Sequence, residues 1–389
     1  MGARAEKNTE RAKKSKGDYI GMNLHLMSVY THFNSDMIQV LNHHFPQNMN
    51  LFVLRYPFPG MKEHNNCLAD PSRFSVSYIN SHAAEYNHIF LHFNYLKPYE
   101  IMRLSDEAAS KIVWIVWGDD LYYVKYRYEA SNSPREFVRN TLYTWSHYSL
   151  LFGIIRRKAK LKIQKFHSIG IGYPYDEVEI RKNYGEKVPV VYAPVFSENY
   201  SDKTYSELRQ KHLNKKSTEI NVLVGHSGFA FHDHEKSLRI LSKFRDENIH
   251  INMVLSYGAS ETRIDKLTKM AVKYFGKEKV TILTDFMPYK DYCDFLASMD
   301  IALFPFAHQA ALGNVNKLAY AGVKLYLDPE GALAKGFHAG GVETSDYNRI
   351  RNQNWADFCA PPAPINTEAP LFKTYSFQKS LNAWADLLD

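Results

Sequence analysis

From Asp18 onward, short apolar runs alternate with longer stretches whose apolar positions recur every three or four residues. The first pattern suits strands buried in a sheet and the second suits helices laid over it, so the chain predicts repeated βαβ units. In the first half the expected strands are Tyr19–Leu26, Asn50–Leu54, His88–Phe93, Lys111–Trp117, Ser168–Gly172 and Val188–Tyr192, with helices over Asn34–His44 and Phe137–Lys165. Pro194 ends a strand and polar residues follow, which places a boundary within Ala193–Tyr200. The alternation then restarts. Strands are expected at Ile220–Val224, His250–Ser256, Val280–Leu283, Ile301–Phe304 and Val323–Leu327, and helices at Asp233–Phe244, Glu261–Phe275, Tyr289–Met299 and Val315–Tyr320. A final amphipathic stretch, Phe377–Leu388, carries Leu381, Trp384 and Leu388 at helical spacing and is expected to pack back on the first domain. The resulting division is a tail (1–17), a first α/β domain (18–195), a second (196–372) and a terminal helix (373–389).

Composition fits this division. A chain of 389 residues, 45% of them apolar, is long enough for two domains with separate cores. Its longest apolar runs, Ile112–Trp117 and Leu150–Ile155, fall well below the roughly 18 residues of a spanning helix. The N-terminus is polar and basic without an apolar segment behind it, so a cytoplasmic protein is expected. Cys67, Cys293 and Cys359 are far apart, which suggests buried thiols and neither a disulfide framework nor a thiolate metal site.

Charge is unevenly spread. The net +7 divides into a tail with six basic and two acidic residues and a block of six cations, Arg156, Arg157, Lys158, Lys160, Lys162 and Lys165, which leaves a slightly acidic remainder. A body of that kind does not read as a nucleic-acid surface. The cationic block follows Leu150, Leu151, Phe152, Ile154 and Ile155, the composition of a helix lying on an anionic membrane; a solvated helix face has the same composition.

In open α/β sheets ligands bind beyond the carboxyl ends of strands, so the loops there are where chemistry is sought. Val224 is followed by Gly225-His226-Ser227-Gly228 and then His232-Asp233-His234. Glycine lets a backbone approach phosphate oxygens and helix-end N–H groups donate to them, although a tight turn without a ligand looks the same. Tyr257-Gly258-Ala259-Ser260 and His308-Gln309-Ala310-Ala311-Leu312-Gly313-Asn314 repeat the theme, the latter leading to Lys317. Three such loops suggest a nucleoside diphosphate, with Lys317 offsetting its charge if it faces the cleft. In the first half, Trp117-Gly118-Asp119-Asp120-Leu121-Tyr122 offers two carboxylates between aromatic rings, suited to a general base or to sugar hydroxyls, or to capping the next helix. His25, His32 and His92 fall on or just after strands and are expected either at the cleft or packed in the core. Adjacent carboxylates diverge, and residues at i and i+2 of a helix lie on different faces, so no metal site is expected at Asp119-Asp120 or His232-Asp233-His234.

Several blocks together resemble the Fuc4NAc transferase (4-alpha-L-fucosyltransferase) family of enterobacterial common antigen synthesis. Trp117-Gly118-Asp119-Asp120-Leu121-Tyr122 is similar to its Trp-Gly-Ala-Asp-Leu-Tyr, and Leu223-Val224-Gly225-His226-Ser227-Gly228 with His234 to its Leu-Val-Gly-Asn-Ser-Gly and following histidine. Tyr257-Gly258, Phe306-Ala307-His308-Gln309 with Gly313, and Ala321-Gly322 also match, and His32-Phe33-Asn34 resembles its His-His-Asn. The resemblance implies a GT-B glycosyltransferase, two facing Rossmann-like domains with the site in the cleft. It further implies transfer from a dTDP-sugar to a lipid-linked saccharide at the inner face of the membrane, in polysaccharide biosynthesis, with no metal or other cofactor. Asp120 is the matched carboxylate and the first candidate base, His32 the second. Gly225, Ser227, Gly228, His234, Tyr257, Gly258, Gln309, Gly313, Asn314 and Lys317 are expected at the donor. Asn34, Asn94, Trp117, Asp119 and Tyr122 are expected at the acceptor, and Arg156, Arg157, Lys158, Lys160 and Lys162 at the membrane.

Overall fold

A computed structural model describes residues 21–28, 32–57, 65–118, 120–122, 150–194, 196, 202–374 and 376–388. Seven parallel strands form a first sheet: β1 (Met22–Met27), β2 (Asn50–Leu54), β3 (Cys67–Ala69), β4 (Tyr86–His92), β5 (Ile112–Ile115), β6 (Ser168–Ile171) and β7 (Val190–Tyr192), in the order β3-β2-β1-β4-β5-β6-β7. Six more form a second: β8 (Ile220–Val224), β9 (Ile249–Val254), β10 (Val280–Leu283), β11 (Ile301–Phe304), β12 (Lys324–Leu327) and β13 (Ser345–Asp346), in the order β10-β9-β8-β11-β12-β13. Both orders reverse direction once, between β1 and β4 and between β8 and β11. Crossovers run to opposite sides at those points and leave a crevice at the carboxyl ends.

The principal helices are α1 (His32–His44), α2 (Leu150–Ile163), α3 (Asp176–Tyr184), α4 (Asp202–Leu213), α5 (His234–Leu241), α6 (Glu261–Phe275), α7 (Tyr289–Ala297), α8 (Leu312–Ala321), α9 (Ala332–Ala339) and α10 (Phe377–Leu388). Side chains alternate across each sheet, as the two-residue strand period requires. Leu24, Leu26, Leu51, Val53, Ile89 and Leu91 pack on one face of the first sheet, while Phe52, Leu54, Phe90, Val113 and Ile115 pack on the other with α1 and α10. The second sheet divides likewise, with Leu223, Ala302 and Phe304 on one face and Val222, Val224 and Leu303 on the other. Strands covered on both faces read as continuous apolar runs, which is why they stood out in the sequence.

The halves are joined at definite points. Tyr173, after β6, is fully buried against α9, and its hydroxyl donates to the Leu333 carbonyl at 2.9 Å. Gly336 makes room for that ring, since a Cβ there would lie 1.9 Å from the Tyr173 hydroxyl. Helix α10 returns to the first sheet, where Asn23 Nδ2 donates to the Leu388 carbonyl (3.0 Å) and Trp384 Nε1 to the Pro194 carbonyl (2.9 Å).

Differences from expectation are local. Lys111 ends a short helix, Asp106–Lys111, so β5 begins a residue later than expected. The helix expected over Asp233–Phe244 finishes as a 3-10 turn, Ser242–Phe244. β3, β13, α3, α4 and α9 were not foreseen: two of them are very short strands, and among its described side chains α4 buries only Tyr205 and Leu208. The tail, the start of the expected strand at Tyr19 and the start of the expected helix at Phe137 lie outside the described residues.

Candidate active site

On the second half, β8 ends at Val224 and runs into Gly225, whose φ of +72° lets the chain turn sharply. Imidazoles pack behind this turn: a Cβ on Gly225 would lie 2.9 Å from His234 Nε2 and 3.0 Å from the His232 ring. His232 Nε2 and the Ser227 hydroxyl are 3.0 Å apart, and the same serine meets the Tyr257 hydroxyl. The expected direct passage from turn into helix is replaced by a 3-10 turn, Ala230–His232, and Asp233 in the left-handed region (φ +44°), so α5 starts only at His234. His234 is fully enclosed, and burial holds its pKa down to about 3. It supports the turn from behind, which corrects the expectation of a donor contact. Gly228 needs a second correction. Its N–H donates to the Tyr257 carbonyl at 2.7 Å and its Cα abuts Ala259, so this amide joins the β8 and β9 loops and is not left for a phosphate.

The loop after β11 is different. Ala311 (φ +60°) is the N-cap of α8, and its carbonyl accepts from the amides of Asn314 and Val315. The amides of Leu312 and Gly313 have no intramolecular acceptor among the described residues, the usual condition of a helix's first turn. A Cβ on Gly313 would meet nothing within 4 Å, so this amide edge faces open space. Asn314 is engaged, its Nδ2 donating to the Tyr292 hydroxyl at 3.0 Å. Lys317 is buried in the wall formed with α7, its ammonium 5.0 Å above the Tyr289 ring. No ion pair to it occurs among the described residues, and burial lowers its pKa. Tyr257 is partly exposed, and Gly258 (φ +80°) accommodates the Phe229 ring.

Facing this edge is the loop after β5. Gly118 (φ +103°) lies directly against Gln309 of the other half: a Cβ on Gly118 would meet its Oε1 and lie 3.0 Å from its carbonyl oxygen. Asp120 does not stand free in the gap. Its Oδ1 accepts from the Trp117 amide (3.0 Å) and its Oδ2 from the Asn94 amide (2.9 Å) and Trp114 Nε1 (2.6 Å). Desolvation raises its pKa against these donors. Asp120 is thus a brace between the β4 and β5 loops, and a free base at this position does not fit the geometry. Asn94 gives Asp120 its amide, and its own Oδ1 accepts from the Leu96 amide (3.2 Å).

Tyr122 is buried and donates through its hydroxyl to Asp176 Oδ1 at 2.7 Å, with its ring 6.4 Å from that of His308. It lies beneath the cleft floor, which corrects the expected stacking on an acceptor. Asp176 was missed in the sequence; it opens α3 beside Glu177 and Glu179, where acidic residues suit a helix's first turn whatever else they do. Burial pushes its carboxyl up to about 7, the Tyr122 hydrogen bond opposes this, and the charges of Asp120 and Glu179 add to it.

Of the remaining expected residues, Asn34 is enclosed on α1 and Trp117 is half-buried against the first core. Asp119 and the His32 side chain lie outside the described set. His25 and His92 do not line the cleft: they are buried, 3.0 Å apart between ring nitrogens, with His25 also on Asn50 and Trp384 stacked over His92. No group of three metal-ligating side chains occurs among the described residues.

Helix α2 divides its cations between two faces. Lys162 and Lys165 pair with Asp106 (2.5 and 2.7 Å), so Lys162 is turned away from the expected surface, and Arg156 and Lys160 are half-buried. Arg157 and Lys158 are exposed beside Ile154 (56% exposed) and Leu161 (54%). No helix among the described residues is long and apolar enough to cross a membrane.

Solved structures share this architecture. The Anabaena HepE in complex with UDP and glucose superposes with a TM-score of 0.58 at 14% identity, covering 94% of this chain and 98% of its own. Sucrose-phosphate synthase from Thermosynechococcus elongatus gives 0.57 at 11%, over 94% and 98%, and a glycosyltransferase from Rickettsia africae 0.53 at 11%, over 95% and 98%. At such identities the likeness speaks to the fold, which is GT-B. The family profile described as 4-alpha-L-fucosyltransferase, glycosyl transferase group 56, matches residues 25–344, and with most of the chain so covered this protein belongs to that family and is a GT-B hexosyltransferase.

Proposed function

We propose that this enzyme moves an acetamido-deoxy hexose of the Fuc4NAc type from a dTDP-sugar to a lipid-linked saccharide in cell-surface polysaccharide synthesis. The observation that carries the reading is the open amide edge of α8 at Leu312 and Gly313, set across the gap from Gly118. Breaking the sugar–phosphate bond leaves negative charge on the diphosphate, and fixed N–H dipoles at a helix start stabilise it without reorganising. Lys317, a cation with no ion-pair partner among the described residues, adds a positive field from the wall of the same helix. Glycine at 313 lets the phosphate oxygens come close to the backbone. The acceptor hydroxyl must lose a proton as it attacks. With Asp120 engaged as a brace, we assign that proton to His32, which opens α1 after β1. The amide edge and Lys317 serve the role a metal ion has elsewhere, so turnover is expected to survive a chelator.

A thermal-shift series with dTDP, UDP, GDP and CMP tests the donor, with dTDP expected to raise the melting temperature most. A larger shift with UDP or GDP would replace the dTDP-sugar by another donor. Turnover of a dTDP-sugar only when an undecaprenyl-diphosphate-linked saccharide is supplied would establish transfer. For the acceptor's location, the exposed face of α2 combines two cations with two apolar side chains, the arrangement of an interfacial helix on an anionic leaflet. Co-sedimentation with liposomes is expected to need anionic lipid and to fall when Arg157 and Lys158 become glutamate. Binding indifferent to both changes would remove the membrane reading.

A further inference from the structure

Three loops at the carboxyl ends of β8, β9 and β10 each place an aromatic ring on the same outer edge. Phe229 follows β8 and is 44% exposed, Tyr257 follows β9 and is 40% exposed, and Phe286 follows β10 and is 73% exposed. They are ordered with respect to one another. The Phe286 and Tyr257 rings are nearly parallel, at 11° with centroids 6.0 Å apart, and Phe229 meets Tyr257 edge-on at 82° and 5.9 Å. Gly258 is what permits the Phe229 contact, since a Cβ there would lie 2.7 Å from that ring.

We propose that Phe286 and Tyr257 form a stacking platform for the nucleobase of the donor, a subsite outside the residues that hold its diphosphate. The inference rests on reading the protein as a nucleotide-sugar transferase. Exposed aromatic rings in register at a crevice gain when a flat ring covers them, because both faces lose water and the stacked geometry suits their quadrupoles. The platform is continuous with the turn after β8. Tyr257 meets Ser227 through its hydroxyl, and its ring centroid is 6.2 Å from that of His226. Behind it, Tyr292 bonds Asn314 in the first turn of α8, so the platform and the open amide edge share one wall. A base on Phe286 and a diphosphate at Gly313 would thus be two ends of one ligand. Stacking accepts any base, since each has a π-face, so this platform gives affinity and leaves the choice of base to other contacts.

The test is calorimetric titration of the full chain with dTDP, UDP and inorganic pyrophosphate, for the wild type, Phe286→Ala and Phe286→Trp. Phe286 is largely exposed, so both variants are expected to fold. The expected result is that Phe286→Ala weakens dTDP and UDP by about ten-fold, the loss of one stacked face, while pyrophosphate is unchanged and Phe286→Trp restores binding. Unchanged nucleotide binding by Phe286→Ala would overturn the platform alone. An equal loss for pyrophosphate would also overturn it, since the substitution would then act through the loop's shape. Retained nucleotide binding with lost liposome binding would assign the rings to hydrocarbon instead. A wild type that binds dTDP and UDP no better than pyrophosphate would refute the nucleotide donor itself, and the platform with it.

Discussion

The two edges of the cleft hold similar kinds of residue and use them differently. On the β5 side the carboxylate and hydroxyl are committed: Asp120 takes three N–H donors from Trp114, Trp117 and Asn94, and Tyr122 gives its hydroxyl to Asp176. The amides of Leu312 and Gly313 are unpaired among the described residues, the glycine faces open space, and the β9 and β10 loops expose the rings of Tyr257 and Phe286. A polar residue in a cleft recognises a ligand only with the capacity the fold leaves unused. The carboxylate that looks most chemical in the sequence is thus the one most fully occupied, and the capacity left open lies beside a glycine.

That contrast can be broken at Asp120. If it is a brace, Asp120→Ala strands a buried indole N–H and two amides and should lower unfolding stability by about 3 kcal/mol, seen in denaturant titration, with activity lost in parallel. A kcat loss of several orders of magnitude with stability intact would make it a base instead. Gly118→Ala comes next. The positive φ and the Gln309 contact should cost about 2 kcal/mol, measured as a lower midpoint of unfolding, and turnover should fall as the edges are pushed apart.

Asp176→Asn sharpens the comparison through pH. The folded carboxyl titrates at about 7, above the ordinary 3.8, so its neutral form is the one the fold favours. Wild-type stability from this group is full below pH 3.8 and is lost as pH rises towards 7. The asparagine variant keeps an acceptor for Tyr122 and should match the wild type at low pH, then exceed it by a few kcal/mol above pH 7. A constant difference across the range would refute the account. The smallest stability effect belongs to Gly313→Ala, where helix propensity predicts a gain of up to about 1 kcal/mol. Its ligand effect should run the other way, with weaker dTDP in calorimetry because the methyl stands at the amide edge.

Much of the fold was readable because doubly covered strands such as Asn50–Leu54 and Ile301–Phe304 are unbroken apolar runs, and helices such as Glu261–Phe275 keep a clean stripe. Helix α9 was not, since Ala332 to Ala339 is apolar nearly all round and contains Gly336, whose purpose appears only when Tyr173 arrives from the other half. In the site, the glycine-bearing loops after strands were legible in the chain, and Gly225 and Gly258 do turn there with positive φ. What local sequence could not reveal was which hydrogen-bonding groups find partners far away: Gly228 on Tyr257, Asp120 on Asn94, Tyr122 on Asp176. Those pairings depend on where the loops of neighbouring strands meet. Phe286 gave no signal either, as a lone aromatic before Met287 and Pro288 resembles any loop residue.

The return of α10 has a mechanical consequence. The polypeptide passes from one half to the other near Pro194 and comes back at its C-terminus, and Trp384 fastens the second passage to the first at the Pro194 carbonyl. Both crossings therefore share one seam along one side of the molecule. With Tyr173 seated in α9 as a fulcrum, the halves cannot slide apart in parallel. A change in cleft width that keeps these contacts must be a swing about that seam, with the travel at each loop proportional to its distance from it.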